Sequence, residues 1–305
     1  MVLNECIQEY LTFIRQIRCL SENTVQGYSE DLKHLSNILG LNKDINSISI
    51  IELRNTIGEL SREKYSTLSI NRYIASARGF FAYCKKQKII EYNPALELKN
   101  LKTPKYLPVY MTQKELDDIC NIPEKINILW PARDKAIFEM FYSSGCRVSE
   151  LASLTFKNFN RDFTSAVITG KGKKMREVYF EKDSVIALKK YLLDRKTRFP
   201  ESFKGGNAYV PNIFLNYRGE SLSSRGIQYI VSRYSGPEGT NKKITPHSFR
   251  HTFATLMLNN GADVRMIQKM LGHSSINTTQ KYTHLNKRKL KAIYDQAFPH
   301  SGKKD

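Results

Sequence analysis

The chain has 305 residues, of which 41% are hydrophobic and 25% charged, a composition that excludes general disorder and gives room for two domains. Lysine and arginine outnumber acidic residues by 48 to 29, and the net charge of +19 favours nucleic acid as a partner, with a generic basic surface as the alternative. Without an apolar stretch of about 20 residues or a signal-peptide pattern in MVLNECIQEY, the sequence predicts a cytoplasmic protein with no membrane segment.

Helical periodicity dominates the first third of the chain, where apolar residues recur at spacings of three and four. Four segments carry this pattern: CIQEYLTFIRQI, SENTVQGYSEDLKHLSNIL, SIIELRNTIGELSRE and LSINRYIASARGFFAYCKKQ. Ser21 is the expected N-cap of the second helix, and EYNPA ends the fourth. The sequence therefore predicts a small helical bundle over residues 1–102.

The stretch LKNLKTPKYLPVYMT is basic and contains two prolines, so we predict a linker over residues 103–111 and a second domain over residues 112–305. In this second domain the pattern becomes mixed. Helices are predicted near residues 113–121, 132–144 and 148–154, then a hairpin in SAVITGKGKKMREVYF, then further helices. The predicted fold class is mainly α, with a small antiparallel β-sheet in the C-terminal domain.

Metal and disulfide chemistry are both disfavoured. The five cysteines are scattered without a C-x-x-C pair and are expected to be reduced thiols. His247 and His251 stand four apart and would share a helix face, but the zinc protease pattern needs a glutamate where Ser248 stands. Arg250, between the histidines, also disfavours a bound cation. We therefore expect no metal and no cofactor.

The segment TPHSFRHTFATLML suits an anion better. An arginine and a histidine near a helix N-terminus can bind a phosphate, although a surface arginine in an ordinary ion pair is the alternative for such a short pattern. Two further segments add similar groups. SSGCRVSEL places Arg147 on a tight turn before a helix start, and LGHSSINTTQKYTHL places His273 after a glycine and Tyr282 among polar residues.

In order along the chain, SGCRVSEL, ITGKGKKMREV, TPHSFRHTFAT and LGHSSINTTQKYTH resemble the motif series of the tyrosine recombinases, most of all its Xer branch. The segments INRYIASARGFFAYCKKQKIIEYNPA and LKTPKYLPVYMT resemble the DNA-clamping domain and linker of Xer proteins, so the resemblance extends over essentially the full length. It implies a two-domain DNA clamp, with a helical core-binding domain and a mixed catalytic domain, that cuts and rejoins DNA strands.

The resemblance also implies roles for single residues. Tyr282 would be the nucleophile that forms a 3′-phosphotyrosyl bond, and Arg147 and Arg250 would stabilise the negative charge of the transition state. His247 would be the general base, and His273 would hydrogen-bond the phosphate.

Lys171, in the predicted hairpin, resembles the family lysine that protonates the leaving 5′-oxygen. Lys173 and Lys174 are alternative candidates for this proton donor. The alternative for Lys171 itself is a solvated lysine of the turn without a catalytic role. Glu150 resembles the family's acidic residue beside the first arginine and is expected to orient its neighbours. For His251 we expect a packing or supporting role.

Double-stranded DNA is the expected partner. Arg72 and Arg78 on the fourth helix, together with Lys173 and Lys174, are candidate DNA contacts, with ordinary surface exposure as the alternative for the arginines. The basic, amphipathic segment NKRKLKAIYDQAF predicts a C-terminal helix. The resemblance implies that this helix docks on a neighbouring protomer of a homo- or hetero-tetramer on two DNA sites, and packing on its own domain is the alternative. The resemblance to Xer proteins also suggests a DNA translocase as a partner that activates recombination.

The resemblance to the Xer branch implies resolution of chromosome dimers at a dif-like site. An integrase or excisionase of a phage or mobile element shares the same chemistry and remains an alternative. A DNA-binding protein without catalysis is the alternative from another class, and the presence of every candidate catalytic residue argues against it.

Overall fold

The computed structural model describes residues 1–103, 110–126, 129–170, 174–203, 209–235, 244–272 and 287–298. The chain divides into two compact units, Met1–Tyr106 and Leu107–Asp305. No helix in the described part is long and apolar enough to cross a membrane. The predicted limits of the linker, residues 103–111, stay a prediction.

The first unit is a helical bundle, as predicted. Its helices are α1 (Leu3–Gln16), α2 (Glu22–Leu39), α3 (Ile50–Arg62) and α4 (Thr67–Lys86). Ser21 is the N-cap of α2, since its side chain accepts a hydrogen bond from the Thr24 N–H. The apolar stripes of the helices meet in one core that includes Leu3, Ile14, Val25, Leu35, Ile74, Phe80 and Phe81.

The second unit is mostly helical with one small sheet, which confirms the predicted fold class. Its elements are α5 (Gln113–Lys125), α6 (Pro131–Ser144), α7 (Val148–Ala152), β1 (Ser165–Thr169), β2 (Met175–Tyr179), α8 (Lys182–Arg198), α9 (Ser224–Tyr234), α10 (Pro246–Asn259), α11 (Val264–Leu271) and α12 (Lys287–Ala297). β1 and β2 are antiparallel and pair Ile168 with Arg176.

Helix α5 is longer than predicted because it continues through Pro123 to Lys125. A proline lacks the N–H that would close the last turn, but Ile122 and Pro123 are both buried, so packing outweighs the lost hydrogen bond. Helix α7 is shorter than predicted and ends at Ala152.

Helix α6 lies at the centre of the second core, and its side chains from residue 136 to residue 144 are all buried. Helix α12 packs against the core of its own chain. The buried Tyr294 donates its hydroxyl to the Ser143 carbonyl at 2.9 Å, and the Ala297 carbonyl accepts a hydrogen bond from Asn260. In this single chain, therefore, the C-terminal helix docks on its own unit.

Candidate active site

Arg147 lies on a turn between two helices. Gly145 ends α6 in the left-handed conformation, with φ of 58°, and Arg147 is the N-cap residue of α7. Glu150, in the first turn of α7, accepts a hydrogen bond from the Arg147 N–H at 2.7 Å. This local contact fixes the backbone from which the Arg147 side chain projects, and that side chain is 31% exposed.

The Glu150 carboxylate is the acceptor for two arginine side chains. Arg147 Nη1 donates to Oε1 at 2.9 Å, and Arg176 donates with Nη1 to Oε1 and with Nη2 to Oε2, both at 2.8 Å. Burial alone would raise the pKa of Glu150, but the hydrogen bonds from Arg176 and Arg147 outweigh it and lower the pKa to about 2. Glu150 is therefore ionised throughout the physiological range.

Arg250 projects from α10 into the same region and is only 8% exposed. Its Nη1 donates to the Gly145 carbonyl at 2.7 Å, and its Nη2 donates to the Leu271 carbonyl at 2.6 Å. Burial, followed by the nearby charges of Arg147 and Arg176, lowers the pKa of Arg250 to about 10. The guanidinium therefore still carries its charge at neutral pH.

The C-terminal end of α11 joins the three arginines. Three consecutive carbonyls accept one guanidinium each: Met270 from Arg176 Nε at 2.7 Å, Leu271 from Arg250 at 2.6 Å, and Gly272 from Arg147 Nη2 at 3.3 Å. The last carbonyls of a helix have no partner within the helix and carry its negative dipole end, so they attract cations. We call Arg147, Glu150, Arg176 and Arg250, with this helix end, the arginine cluster.

His247 lies in the first turn of α10. Thr245 caps this helix, because its hydroxyl accepts a hydrogen bond from the Ser248 N–H, and Pro246 occupies the first helical position. His247 and His251 are both exposed. The expected packing role of His251 is wrong, because Phe249 and Phe253 provide the buried contacts of this helix. No group of side chains suited to a metal ion exists among the described residues.

The candidates Lys171, Lys173, His273 and Tyr282 lie outside the described residues, and their predicted roles stay predictions. Lys174 is exposed. Its carbonyl accepts a hydrogen bond from the Gly170 N–H at 2.8 Å, which joins the two ends of the connection between β1 and β2. Gly272 ends α11 in the left-handed conformation, with φ of 64°, directly before position 273.

The candidate DNA contacts of the first unit each have a protein partner. Arg72 pairs with the buried Asp31 at 2.8 Å and keeps a half-exposed side chain. Arg78 Nη1 donates to Asn100 at 3.3 Å. Both arginines lie on α4, and contact with DNA stays a prediction for them.

Sequence reasoning did not single out Arg176, although ITGKGKKMREV contains it. The available signal was the position of Arg176, a charged residue inside a short predicted strand whose pattern indicates that one of its faces is buried. Its partners Glu150 and Met270 are 26 and 94 residues away along the chain, so their proximity becomes visible only in the folded structure.

A separate cavity of about 520 Å³ lies among α5, α6 and the start of α8, and none of its lining residues belongs to the arginine cluster. Carboxylates dominate its polar lining, which includes Asp117, Glu124, Glu139, Glu181 and Asp183. Lys135 and Lys190 both pair with Glu124. We call this region the acidic cavity, and it is unexpected in so basic a chain.

Comparison with known proteins places these features in a family. Residues 109–289 match the phage integrase family, and residues 7–88 match the phage integrase N-terminal SAM-like domain. The chain is 38% identical to tyrosine recombinase XerC of Treponema denticola, with 98% of this chain and 100% of the relative covered. It is 33% identical to tyrosine recombinase XerD of Listeria monocytogenes, with 97% and 99% covered.

The chain therefore belongs to the phage integrase family, and these relatives, which match it over nearly their full length, are Xer tyrosine recombinases. The predicted resemblance to the tyrosine recombinases, enzymes that cut and rejoin DNA strands, is confirmed.

Two solved structures share the fold. The Tn1549 transposon integrase in complex with circular intermediate DNA matches with a TM-score of 0.71 at 20% identity, covering 96% of this chain and 98% of that one. The XerH site-specific recombinase bound to palindromic difH substrate matches with a TM-score of 0.68 at 23% identity, covering 94% and 83%.

Proposed function

We propose that this protein is a site-specific recombinase whose active site is the arginine cluster together with His247, Lys171, His273 and Tyr282. The observation that carries the proposal is the convergence of Arg147 and Arg250 on successive carbonyls at the end of α11, directly before position 273. Two arginines held on rigid elements can bind one phosphate group, because a guanidinium matches the geometry of phosphate oxygens.

In the first step the Tyr282 hydroxyl loses its proton to His247, and its oxygen attacks the scissile phosphorus. A 3′-phosphotyrosyl bond forms while the bond from phosphorus to the 5′-oxygen breaks, and the leaving oxygen takes a proton from Lys171. A tyrosine hydroxyl has a pKa of about 10, so a nearby base assists the attack at neutral pH. His247, exposed in the first turn of α10, is accessible for this task.

The transition state carries extra negative charge on the non-bridging phosphate oxygens, and preorganised cations stabilise such charge most effectively. Arg147 and Arg250 are preorganised, because hydrogen bonds to protein groups hold their side chains in place. His273 would add a hydrogen bond to the phosphate. The covalent linkage keeps the energy of the phosphodiester bond, so strand rejoining by a new 5′-hydroxyl requires neither ATP nor a metal ion.

Similarity to XerC and XerD supports resolution of chromosome dimers at a dif-like site as the biological task. We further propose that residues 1–102 form a core-binding domain, that residues 112–305 form the catalytic domain, and that a linker over residues 103–111 joins them. The two domains would together clamp duplex DNA, and the protein would act in the cytoplasm. Four copies would act on two DNA sites, with a DNA translocase as activator.

A nicked duplex carrying a dif-like sequence of the source genome tests the chemistry. The nick lets the cut strand diffuse away, so the wild type should accumulate a covalent protein–DNA adduct that survives denaturation. Tyr282→Phe should form none and should still bind the duplex in a gel-shift assay, because only the nucleophilic oxygen is removed.

Tyr229→Phe is the matched control, since Tyr229 is an exposed tyrosine of the same unit on α9. This variant should form the adduct at the wild-type rate. An adduct that persists in Tyr282→Phe, or that maps to another tyrosine, would refute the assignment of the nucleophile.

A further inference from the structure

Arg176 of β2 directs its whole guanidinium at the protein. Its three nitrogens donate to Met270 O at 2.7 Å and to the two oxygens of Glu150 at 2.8 Å each, and the side chain is 11% exposed. Arg147 differs, since its side chain is 31% exposed. Because every nitrogen of its guanidinium has a protein acceptor, Arg176 is placed to organise the site, and Arg147 is better placed to meet a ligand.

The contact between Arg176 and Glu150 is bidentate, and this geometry fixes the plane of the carboxylate. The same carboxylate holds Arg147 twice, through the backbone N–H at 2.7 Å and through Nη1 at 2.9 Å. Arg147 thus depends on Arg176 through a shared, buried partner. A lysine at position 176 could keep the charge but would lose the planar fork.

Two glycines leave room for the Arg176 guanidinium. A Cβ atom at Gly170 would lie 3.2 Å from Arg176 Nη1 and 3.3 Å from Glu150 Oε1, and a Cβ atom at Gly272 would lie 3.0 Å from Arg176 Nη1. Gly170 directly precedes Lys171, and Gly272 directly precedes His273. The Arg176 guanidinium therefore lies beside the residues that directly precede two of the proposed catalytic residues in the sequence.

We propose that Arg176 is a positioning residue for DNA cleavage, which joins β2, the start of α7 and the end of α11 and so holds Arg147 in place for the scissile phosphate. This inference rests on the proposed function. It adds a residue that acts through Glu150 and the α11 end and does not itself contact DNA.

The test compares Arg176→Gln and Arg176→Lys with the wild type in single-turnover adduct formation on the nicked duplex. Both variants should bind DNA with nearly wild-type affinity. Both should form the adduct roughly 10- to 100-fold more slowly, because a displacement of about 1 Å in a catalytic group costs rates of this order. Loss in the lysine variant would show that the fork matters in addition to the charge.

The pH profile separates positioning from general stability. Without Arg176, burial should raise the pKa of Glu150, so Arg176→Gln should show a loss of activity in mildly acidic buffer beyond the loss that the wild type shows there. Adding Glu150→Gln to this variant removes the titrating group. The double variant should therefore show no such acid loss.

Arg133→Gln is the matched control. Arg133 is also buried, pairs with the carboxylate of Asp134 at 2.8 Å and donates to the Leu215 carbonyl at 3.1 Å. It lies near the opposite end of α6 from Gly145, roughly 18 Å away at 1.5 Å per helical residue. This variant should be destabilised to a comparable degree and, at a temperature where it is folded, should cleave at the wild-type rate.

An Arg176→Gln variant with wild-type rate and pH profile would overturn the positioning role alone, as would an equal loss of rate in Arg133→Gln. Full activity of Arg176→Lys would overturn the requirement for the bidentate fork. If the wild type itself forms no adduct with any dif-like duplex, the proposed function fails and the positioning role fails with it.

Discussion

At the scale of residues, the arginine cluster has an imbalance of charge that a phosphate would correct. The cluster contains three guanidiniums but only one carboxylate, and the end of α11 contributes only a partial negative charge. Arg147 and Arg176 help lower the pKa of Arg250, which means that the cations repel one another. Binding of a DNA phosphate would relieve this repulsion, so the arginine cluster is suited to an anion.

Glu139 provides a prediction at the same scale, because it is a buried carboxyl whose pKa moves in the opposite direction to that of Glu150. Burial and the nearby charge of Asp183 raise the pKa of Glu139 to about 7, and the side chain is 8% exposed in the wall of the acidic cavity. Between pH 4.5 and 7 the folded protein therefore binds more protons at this position than the unfolded chain. Stability contributed here is present at low pH and is lost as the pH rises through this window.

We expect Glu139→Gln to stabilise the second unit at pH 8 by at most about 3 kcal/mol, and to have little effect of this kind below pH 4.5. Urea unfolding followed by the fluorescence of Trp130, the single tryptophan, reports on this unit. Glu124→Gln is the control, because hydrogen bonds from Lys135 and Lys190 lower the pKa of Glu124 and predict the opposite sign at neutral pH. A pH-independent effect of Glu139→Gln would contradict the prediction.

At the scale of elements, the turn at Gly145 both ends α6 and contacts an arginine of the candidate active site. Its φ of 58° favours glycine, and a Cβ atom there would lie 2.7 Å from Phe253 Cδ1 and 2.9 Å from Leu271 Cδ2. The Gly145 carbonyl also accepts the hydrogen bond from Arg250. Any shift that relieves the contact would therefore move this arginine as well.

Gly145→Ala should destabilise the second unit by about 2–4 kcal/mol, the sum of left-handed strain and overpacking. Gly261→Ala is the control, since Gly261 also has a positive φ, of 85°, but nothing lies within 4 Å of its Cβ position. It should cost about 1 kcal/mol. The two variants are compared by urea unfolding with Trp130 fluorescence, and equal losses would show that backbone strain alone governs position 145.

Elements whose signals lie within a few residues could be predicted from the sequence. Ser21 caps α2, Gly145 ends α6, and the glycine- and lysine-rich centre of SAVITGKGKKMREVYF separates two paired strands. The convergence at α11 could not be derived in this way, because Arg147 and Gly272 are 125 residues apart and their contact depends on packing of the whole unit. Arg176 was overlooked for the same reason.

At the scale of the whole molecule, charge is unevenly distributed. The chain carries a net charge of +19, yet several carboxylates gather around the acidic cavity of the second unit. A polyanion should avoid that region and approach basic surfaces instead. Lys174, which is exposed at the hairpin, is therefore a candidate contact for DNA. Lys190 belongs to the same unit, but it is exposed beside Glu124 at the acidic cavity and is not expected to contact DNA.

DNA binding should therefore weaken steeply with salt, because each phosphate contacted by lysine or arginine releases condensed counterions. A clamp that makes six to ten such contacts should lose about 10³- to 10⁵-fold in affinity between 50 and 200 mM salt, measured by fluorescence anisotropy with a labelled duplex. Lys174→Gln should reduce the slope of log affinity against log salt by about 1 if this residue contacts a phosphate. Lys190→Gln removes the same charge beside the acidic cavity and should leave the slope unchanged, so equal effects of the two variants would show that net charge, not the position of a lysine, governs binding.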